Sequence, residues 1–260
     1  MPSDKTGIKR SFAAASTTYD HVAALQRTVG LELLASIDTG KLTGTLLDVG
    51  CGTGFLTGEL LAHAGHDSLI ALDIALSMLQ TTQSKLTEQR KVLYVCADAE
   101  RLPFAAHSID SVFSNLALQW CNDLNAVFTG IKRAQKPQGQ LVFSTFGPQT
   151  LQELKSAWAS VDDYHHVNPF YSATQLQQFL QDAGFTDLRI ESRLYTSHYD
   201  AVWSLMQELK QLGAHHVMAG RNNKITTKTA MQQMIAEYEK HRVAGQIPAT
   251  FEVISVIAQA

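Results

Sequence analysis

The residues with the clearest chemical meaning lie in Leu46-Leu47-Asp48-Val49-Gly50-Cys51-Gly52-Thr53-Gly54-Phe55. An apolar run enters a turn with glycine at every second position and leaves it in a helical pattern. Glycine there allows positive φ and close approach of a ligand, since no Cβ intervenes. A dinucleotide fingerprint would need its third glycine at position 55, which is Phe; the third glycine is Gly54. Asp48 lies inside the motif, so the loop suits a ligand with an ammonium group better than a pyrophosphate. Asp73 ends the next apolar run, LIALDIA, where a carboxylate can accept both hydroxyls of a ribose. Asp98, in Cys96-Ala97-Asp98-Ala99, reaches the same edge and can accept from an adenine amino group. Ser114-Asn115-Leu116-Ala117-Leu118-Gln119-Trp120 adds polar and aromatic groups, of which core packing accounts for Leu116 and Leu118 but not for Asn115 or Gln119.

These residues need a scaffold that brings several strand ends to one crevice. β-rich runs at 45–49, 68–72, 92–96, 109–114 and 139–146 alternate with helical patterns at 54–63, 75–88, 123–134 and 148–160, which predicts a mostly parallel sheet covered on both faces. A helix over 172–183 stops at Gly184 and a strand follows at 186–195. Residues 5–40 read as helical ahead of the sheet, because Phe12, Tyr19, Val22, Leu25, Val29, Leu33 and Ile37 recur at near-helical spacing. Residues 199–244 read as two or three helices joined near Gly213 and Gly220, and 250–258 as a last strand. The expected organisation is a single unit: a helical cap (1–41), an α/β core (42–198), a helical lid inserted before the last strand (199–247), and that strand (248–260).

Composition agrees with a globular chain: 260 residues, 45% hydrophobic and 17% charged. A net charge of −3 offers no basic excess for nucleic acid. Cap, core and remainder carry +1, −5 and +1, so the helical additions are mildly basic beside an acidic core. Cys51, Cys96 and Cys121 are odd in number and lack CxxC spacing, which predicts free thiols and no zinc site. With no apolar leader and no membrane-length apolar run, the chain reads as cytoplasmic.

DVGCGTG, Asp73, DAERLPF at 98–104 and SNLALQW at 114–120 together resemble the class I S-adenosylmethionine-dependent methyltransferases. That resemblance implies a Rossmann-like seven-stranded sheet, mostly parallel with a final antiparallel strand, and a cofactor site built from Asp48, Gly50, Cys51, Gly52, Gly54, Asp73, Ile74, Met78, Asp98, Ala99 and Asn115. More narrowly, KRSFAAASTTYD at 9–20, FSTFGPQTLQEL at 143–154, HHVNPF at 165–170, LKQLGA at 209–214 and YEKHRVAGQIPATFEV at 238–253 are similar to the malonyl-acyl carrier protein O-methyltransferase family of biotin synthesis. The resemblance implies methyl transfer from S-adenosylmethionine to the free carboxylate of a malonyl thioester, on acyl carrier protein or on coenzyme A, with no metal, nucleic acid or membrane involved.

A carboxylate with a pKa of about 4 is already ionised at neutral pH, so no general acid or base is expected. Positioning and exclusion of water should suffice. A guanidinium suits the second carboxylate oxygen; Arg221 is the candidate, with Arg27, Arg133 and Arg242 behind it. Tyr19 and Gln26 are expected to close over the methionine end, and Asn115, Gln119, Trp120, His165, His166 and Asn168 to border the substrate. Lys9, Arg10 and Lys210 would face an acidic carrier protein. Two rival readings stay open at this stage: a methyltransferase for a small acid or quinone, and a noncatalytic cofactor-binding protein. A nicotinamide dehydrogenase is opposed by Phe55.

Overall fold

A computed structural model of the chain describes residues 5–16, 18–63, 65–87, 92–213 and 226–260. Seven strands form one sheet: β1 (Gly44–Val49), β2 (His66–Asp73), β3 (Val92–Cys96), β4 (Ile109–Asn115), β5 (Gln135–Phe146), β6 (Thr186–Tyr199) and β7 (Ile247–Gln259), in the order β3-β2-β1-β4-β5-β7-β6. Neighbours from β3 to β5 pair in parallel, and β7 runs antiparallel to both β5 and β6. This is the Rossmann-like arrangement expected of class I methyltransferases. The strand order reverses between β1 and β4, and such a switch point opens a crevice beyond the strands' carboxyl ends.

Period-two alternation sends neighbouring side chains to opposite layers. Leu47, Val112, Leu141 and Phe143 join a core with Phe128, Ile131, Leu176 and Leu180. Leu46, Phe113 and Val142 join a second core with Leu33, Leu34, Leu60 and Leu79. The helices that cover the sheet are α3 (Ala24–Ala35), α4 (Phe55–His63), α5 (Leu76–Lys85), α6 (Leu124–Ala134) and α8 (Ala173–Asp182). In α6, Leu124, Val127, Phe128 and Ile131 form one apolar face, and the Asp123 side chain caps its start by accepting from the Ala126 amide at 3.0 Å. α8 ends in a Schellman turn: Gly184 (φ +86°) and Phe185 donate to the Gln181 and Leu180 carbonyls.

The helical stretch expected over 5–40 falls into α1 (Lys5–Ala15), α2 (Tyr19–Val22) and α3. At Ala23 the backbone leaves helical geometry (φ −85°, ψ +35°), and the Arg27 guanidinium donates at 2.6 Å to the Asp20 carbonyl near the break. The division lets α1 and α2 turn across the strand ends rather than continue along the sheet face. The helix expected at 148–160 forms only as α7 (Gln152–Ala159), because Leu151 takes a left-handed conformation and donates to the Thr250 carbonyl. β6 runs beyond the expected 195, its pairing with β7 continuing to Tyr199 opposite Ile247.

Between β6 and β7 stand α9 (Val202–Gln211) and α10 (Lys228–Glu239). With Leu154 and Trp158 of α7 and the outer ends of β6 and β7, they build a third core around Leu205, Met234, Tyr238 and Phe251. Gly220 and the joint expected there lie outside the described residues.

Candidate functional site

The glycine loop is held from below. The Gly50 and Cys51 amides donate to the Leu72 carbonyl at 2.7 and 3.0 Å, and Gly50, Gly52 and Gly54 have φ of +75°, +55° and +84°. Each glycine has its own reason. A Cβ on Gly50 would meet the Ala117 Cβ at 2.3 Å, and one on Gly54 would meet Thr82 at 2.5 Å. A Cβ on Gly52 would meet nothing within 4 Å, so that position leaves room for a ligand against the backbone. Gly50→Ala combines the left-handed penalty with a clash against a neighbouring strand end. It is expected to cost about 2–4 kcal/mol, read as a lower Tm in thermal unfolding without ligand.

Asp73 sits at the tip of β2, 9% exposed, where its Oδ2 accepts from the Gly52 amide at 3.1 Å and its Oδ1 from the Ala75 amide at 2.8 Å. Each oxygen keeps a further lone-pair site, so a pair of vicinal hydroxyls still finds two acceptors. Burial raises its pKa to about 6 despite the backbone donors. Asp48 is buried under the loop and accepts from the Thr57 hydroxyl at 2.7 Å; burial, with some repulsion from Asp73, brings its pKa to about 7. Burial pushes the Cys51 thiol well up, so it contributes packing rather than a nucleophile.

Val49, Gly50, Gly52, Asp73, Ile74, Met78, Asp98, Ala99, Asn115 and Trp120 share one crevice. The structure thus brings most of the expected cofactor residues together. Gly54 supports the loop from outside it, against Thr82, while Cys51 packs in the core with Leu46 and also lines a smaller pocket beside the crevice. This pocket, of about 50 Å³, adjoins the crevice through Tyr19, Gly50, Gly52 and Asn115, and adds Gln26, Arg27 and Asp48. The Gln26 Oε1 is buried there without a hydrogen-bond partner. An orphaned acceptor in a small polar pocket fits a ligand that brings its own donor.

The cap supplies residues that sequence reasoning missed. Lys5, Ile8 and Phe12 of α1 roof the crevice. Lys5 pairs with Asp98 and, at 2.7 Å, with Glu100, while Phe12 meets Trp120 edge-on, centroids 5.3 Å apart. At the other end Asp20 binds Lys85 and accepts from the Thr53 hydroxyl at 2.6 Å, which ties α2 to the glycine loop. The apolar spacing that begins at Phe12 gave the segment its helical reading; which surface it would cover was not in that pattern.

Several expected substrate residues are occupied elsewhere. Asn115 donates to the Gln26 carbonyl at 2.9 Å and accepts from Ser144, so it joins cap to sheet at the crevice wall. Gln119 donates to the Leu116 carbonyl and lines a separate groove beyond β5. His166 stacks on Trp158 at 3.6 Å and pairs with Asp162, and Asn168 is buried; neither lines the crevice. His165 is exposed. Arg133 is spent on the Leu102 and Phe104 carbonyls, and Arg242 on Glu239 and the Asp200 carbonyl. Arg27 does border the smaller pocket, its guanidinium also 5.8 Å from the Phe55 ring centroid. Arg221 lies outside the described residues; Gly213, before that stretch, packs against Ser11 and Phe12 of the roof. Among the described residues no group of His, Cys, Asp and Glu could hold a metal ion.

Comparison with known proteins agrees with this geometry. The family described as "Methyltransferase domain" matches residues 47–143, the crevice-forming half of the sheet. A malonyl-acyl carrier protein O-methyltransferase of Gallionella capsiferriformans is 41% identical over 258 residues, covering 96% of this chain and 89% of the relative. The chain belongs to the malonyl-acyl carrier protein O-methyltransferase family. As a member it is an enzyme, a methyltransferase, and S-adenosylmethionine is its methyl donor. The biotin biosynthesis bifunctional protein BioHC of Cellvibrio japonicus is 39% identical over 254 residues, 98% of this chain and 50% of that longer protein. A phosphoethanolamine N-methyltransferase of Haemonchus contortus, solved with S-adenosyl-L-methionine, has the same fold at 18% identity (TM-score 0.58, covering 94% of this chain and 57% of that one).

Proposed function

We propose that this enzyme methylates the free carboxylate of a malonyl thioester carried by acyl carrier protein, in the service of biotin synthesis. What supports this reading most is that the likeness to the Gallionella relative extends over cap, sheet and helical insertion, well beyond the 47–143 core that many methyltransferases share. Its place of action is the cytoplasm, which suits three free cysteines; no helix among the described residues is long and apolar enough to cross a membrane.

When bound, S-adenosylmethionine supplies an electrophilic methyl group. Asp73 holds the ribose hydroxyls, and the Asp98–Ala99 edge, with Ile74 and Met78, holds the adenine. The small pocket would receive the amino-acid end, with Gln26 Oε1 accepting from its ammonium, Arg27 available to its carboxylate and Asp48 supplying negative charge beneath. Gly52 lets the chain lie against the loop.

The acceptor needs no deprotonation, since a carboxylate is ionised at neutral pH. Lys5, the lysine on the crevice wall, is committed to Asp98 and Glu100. What the protein supplies is placement and a dry boundary. Ile8, Phe12, Tyr19 and Trp120 form an apolar roof, and in low dielectric the annihilation of opposite charges during methyl transfer is favoured over the separated ions. Burial also raises the Tyr19 hydroxyl far above its usual pKa, so it stays protonated and acts as a donor.

The test is mass spectrometry of malonyl-loaded carrier protein incubated with the enzyme and S-adenosylmethionine. A gain of one CH₂ on malonyl carrier, with none on acetyl carrier, is the expected result. Turnover of free small acids with no gain on the carrier would overturn it.

A further inference from the structure

A second groove, about 270 Å³, lies directly beside the donor crevice. The two share Cys121, and the short 3-10 turn Leu118–Trp120 stands between them, with Trp120 facing the crevice and Gln119 facing the groove. The far wall is Pro169-Phe170-Tyr171, ahead of α8, and the floor is the end of β5 at Thr145 and Phe146. Phe146 and Phe170 contact one another, centroids 5.7 Å apart, so aromatic surface alternates with the amide of Gln119 and the hydroxyl of Thr145. The Thr145–Gln119 contact is long, at 3.4 Å, which leaves both groups able to engage a ligand amide.

Among the described residues the lining is uncharged. The crevice, in contrast, carries Lys5, Asp73, Asp98 and Glu100. An ionised carboxylate or a phosphate placed in the groove would be desolvated among uncharged lining groups, the nearby Lys155 ammonium being engaged over the Phe170 ring, 5.6 Å from its centroid. A neutral chain of methylenes and secondary amides finds both apolar faces and hydrogen-bond partners there. The substrate has such a part, since its carboxylate is joined through a thioester to an amide-bearing arm.

We propose that this groove takes the neutral pantetheine arm of the thioester, entering beside Gln119 and Cys121 so that the acyl end turns into the donor crevice. The inference rests on the thioester reading above. It makes the groove the element that distinguishes an acyl thioester from a free acid: the arm supplies binding energy remote from the reacting atoms. Carrier protein and coenzyme A present the same arm, so the groove by itself does not choose between them.

Phe170→Trp narrows the groove, and Thr145→Val removes its hydroxyl at nearly constant volume in a strand. Initial rates are compared with malonyl-pantetheine, malonyl-coenzyme A, malonyl carrier protein and the armless malonyl S-methyl thioester. Phe170→Trp is expected to lower kcat/KM about tenfold, mostly through KM, for the three arm-bearing substrates and less than twofold for the S-methyl thioester; Thr145→Val acts in the same direction by about threefold. Equal losses on all four substrates, or no loss on any, would overturn the groove while leaving malonyl methylation intact. A loss confined to carrier protein would overturn it too, since the contact would then be with the protein and not the arm. Failure of the wild type to methylate any of the four would remove the thioester reading and this inference with it.

Discussion

Asp73→Ala is expected to weaken S-adenosylmethionine binding by at least about a hundredfold: in the proposed ribose role two hydroxyls lose a charged acceptor, and each such bond contributes about 1.5–3 kcal/mol. The same carboxylate receives the Gly52 and Ala75 amides, so the substitution also frees the loop from β2. The two effects separate by measurement. Isothermal titration gives the affinity, and thermal unfolding without ligand gives the cost to the loop. Asp73→Asn retains an acceptor oxygen for one backbone amide, so it is expected to recover part of the Tm and little of the affinity. An alanine variant that binds the donor as tightly as the wild type would remove Asp73 from the ribose role.

The second large effect is on pH. Asp48 and Asp73 titrate at about 7 and about 6 because both are buried. A positively charged donor with hydroxyls to offer prefers both in the carboxylate form, so protonation competes with binding. Between pH 8 and pH 5.5 the affinity should fall roughly hundredfold, by about tenfold per unit for each group once the pH is below its pKa. Stability without ligand moves the other way. Raised pKa values in the folded state mean that these two groups favour folding fully below the unfolded value of about 4, a contribution lost as pH rises through 6 and 7. Asp20 and Asp110 have lowered values, from burial outweighed by Lys85 and Thr53 for the first and by Lys136 and the Thr45 amide for the second. Their contribution is present above about pH 4 and does not vary across this window. The unliganded Tm should therefore drop from pH 5.5 to pH 8 while the increment given by S-adenosylmethionine grows. Asp48→Asn should flatten the upper part of both curves; curves unchanged by that variant would sink the assignment.

The two effects share a cause that also explains the cap. In the proposed reading a donor held by buried carboxylates needs shielding from water, and α1 and α2 lie over the crevice fastened at both ends, by Lys5 to Asp98 and Glu100 and by Asp20 to Lys85 and Thr53. At one end a cap lysine meets core acids, as the charge distribution along the chain suggests; at the other a cap acid, Asp20, meets a core lysine, which net charge does not foretell.

By itself the sequence determined the strand–helix alternation, the glycine loop and its acids, because these are local: period-two apolarity, positive φ at defined positions, and an acid at a strand's end are all written in a few consecutive residues. It also carried enough family resemblance outside the loop to point to the reaction. Only the tertiary structure decided which polar side chains were free to act. Asn115 and Gln119 looked equally available in SNLALQW, yet one became a tie between cap and sheet at the crevice wall and the other the wall of a different groove. Arg27, Arg133 and Arg242 were indistinguishable as guanidinium donors; all three bond to backbone carbonyls, and of the three it is Arg27 that does so beside the pocket. The pairing of Lys5 with Asp98 spans 93 residues. No local pattern encodes such a contact, since it exists only once β3 and the broken N-terminal helices have reached the same strand-end rim.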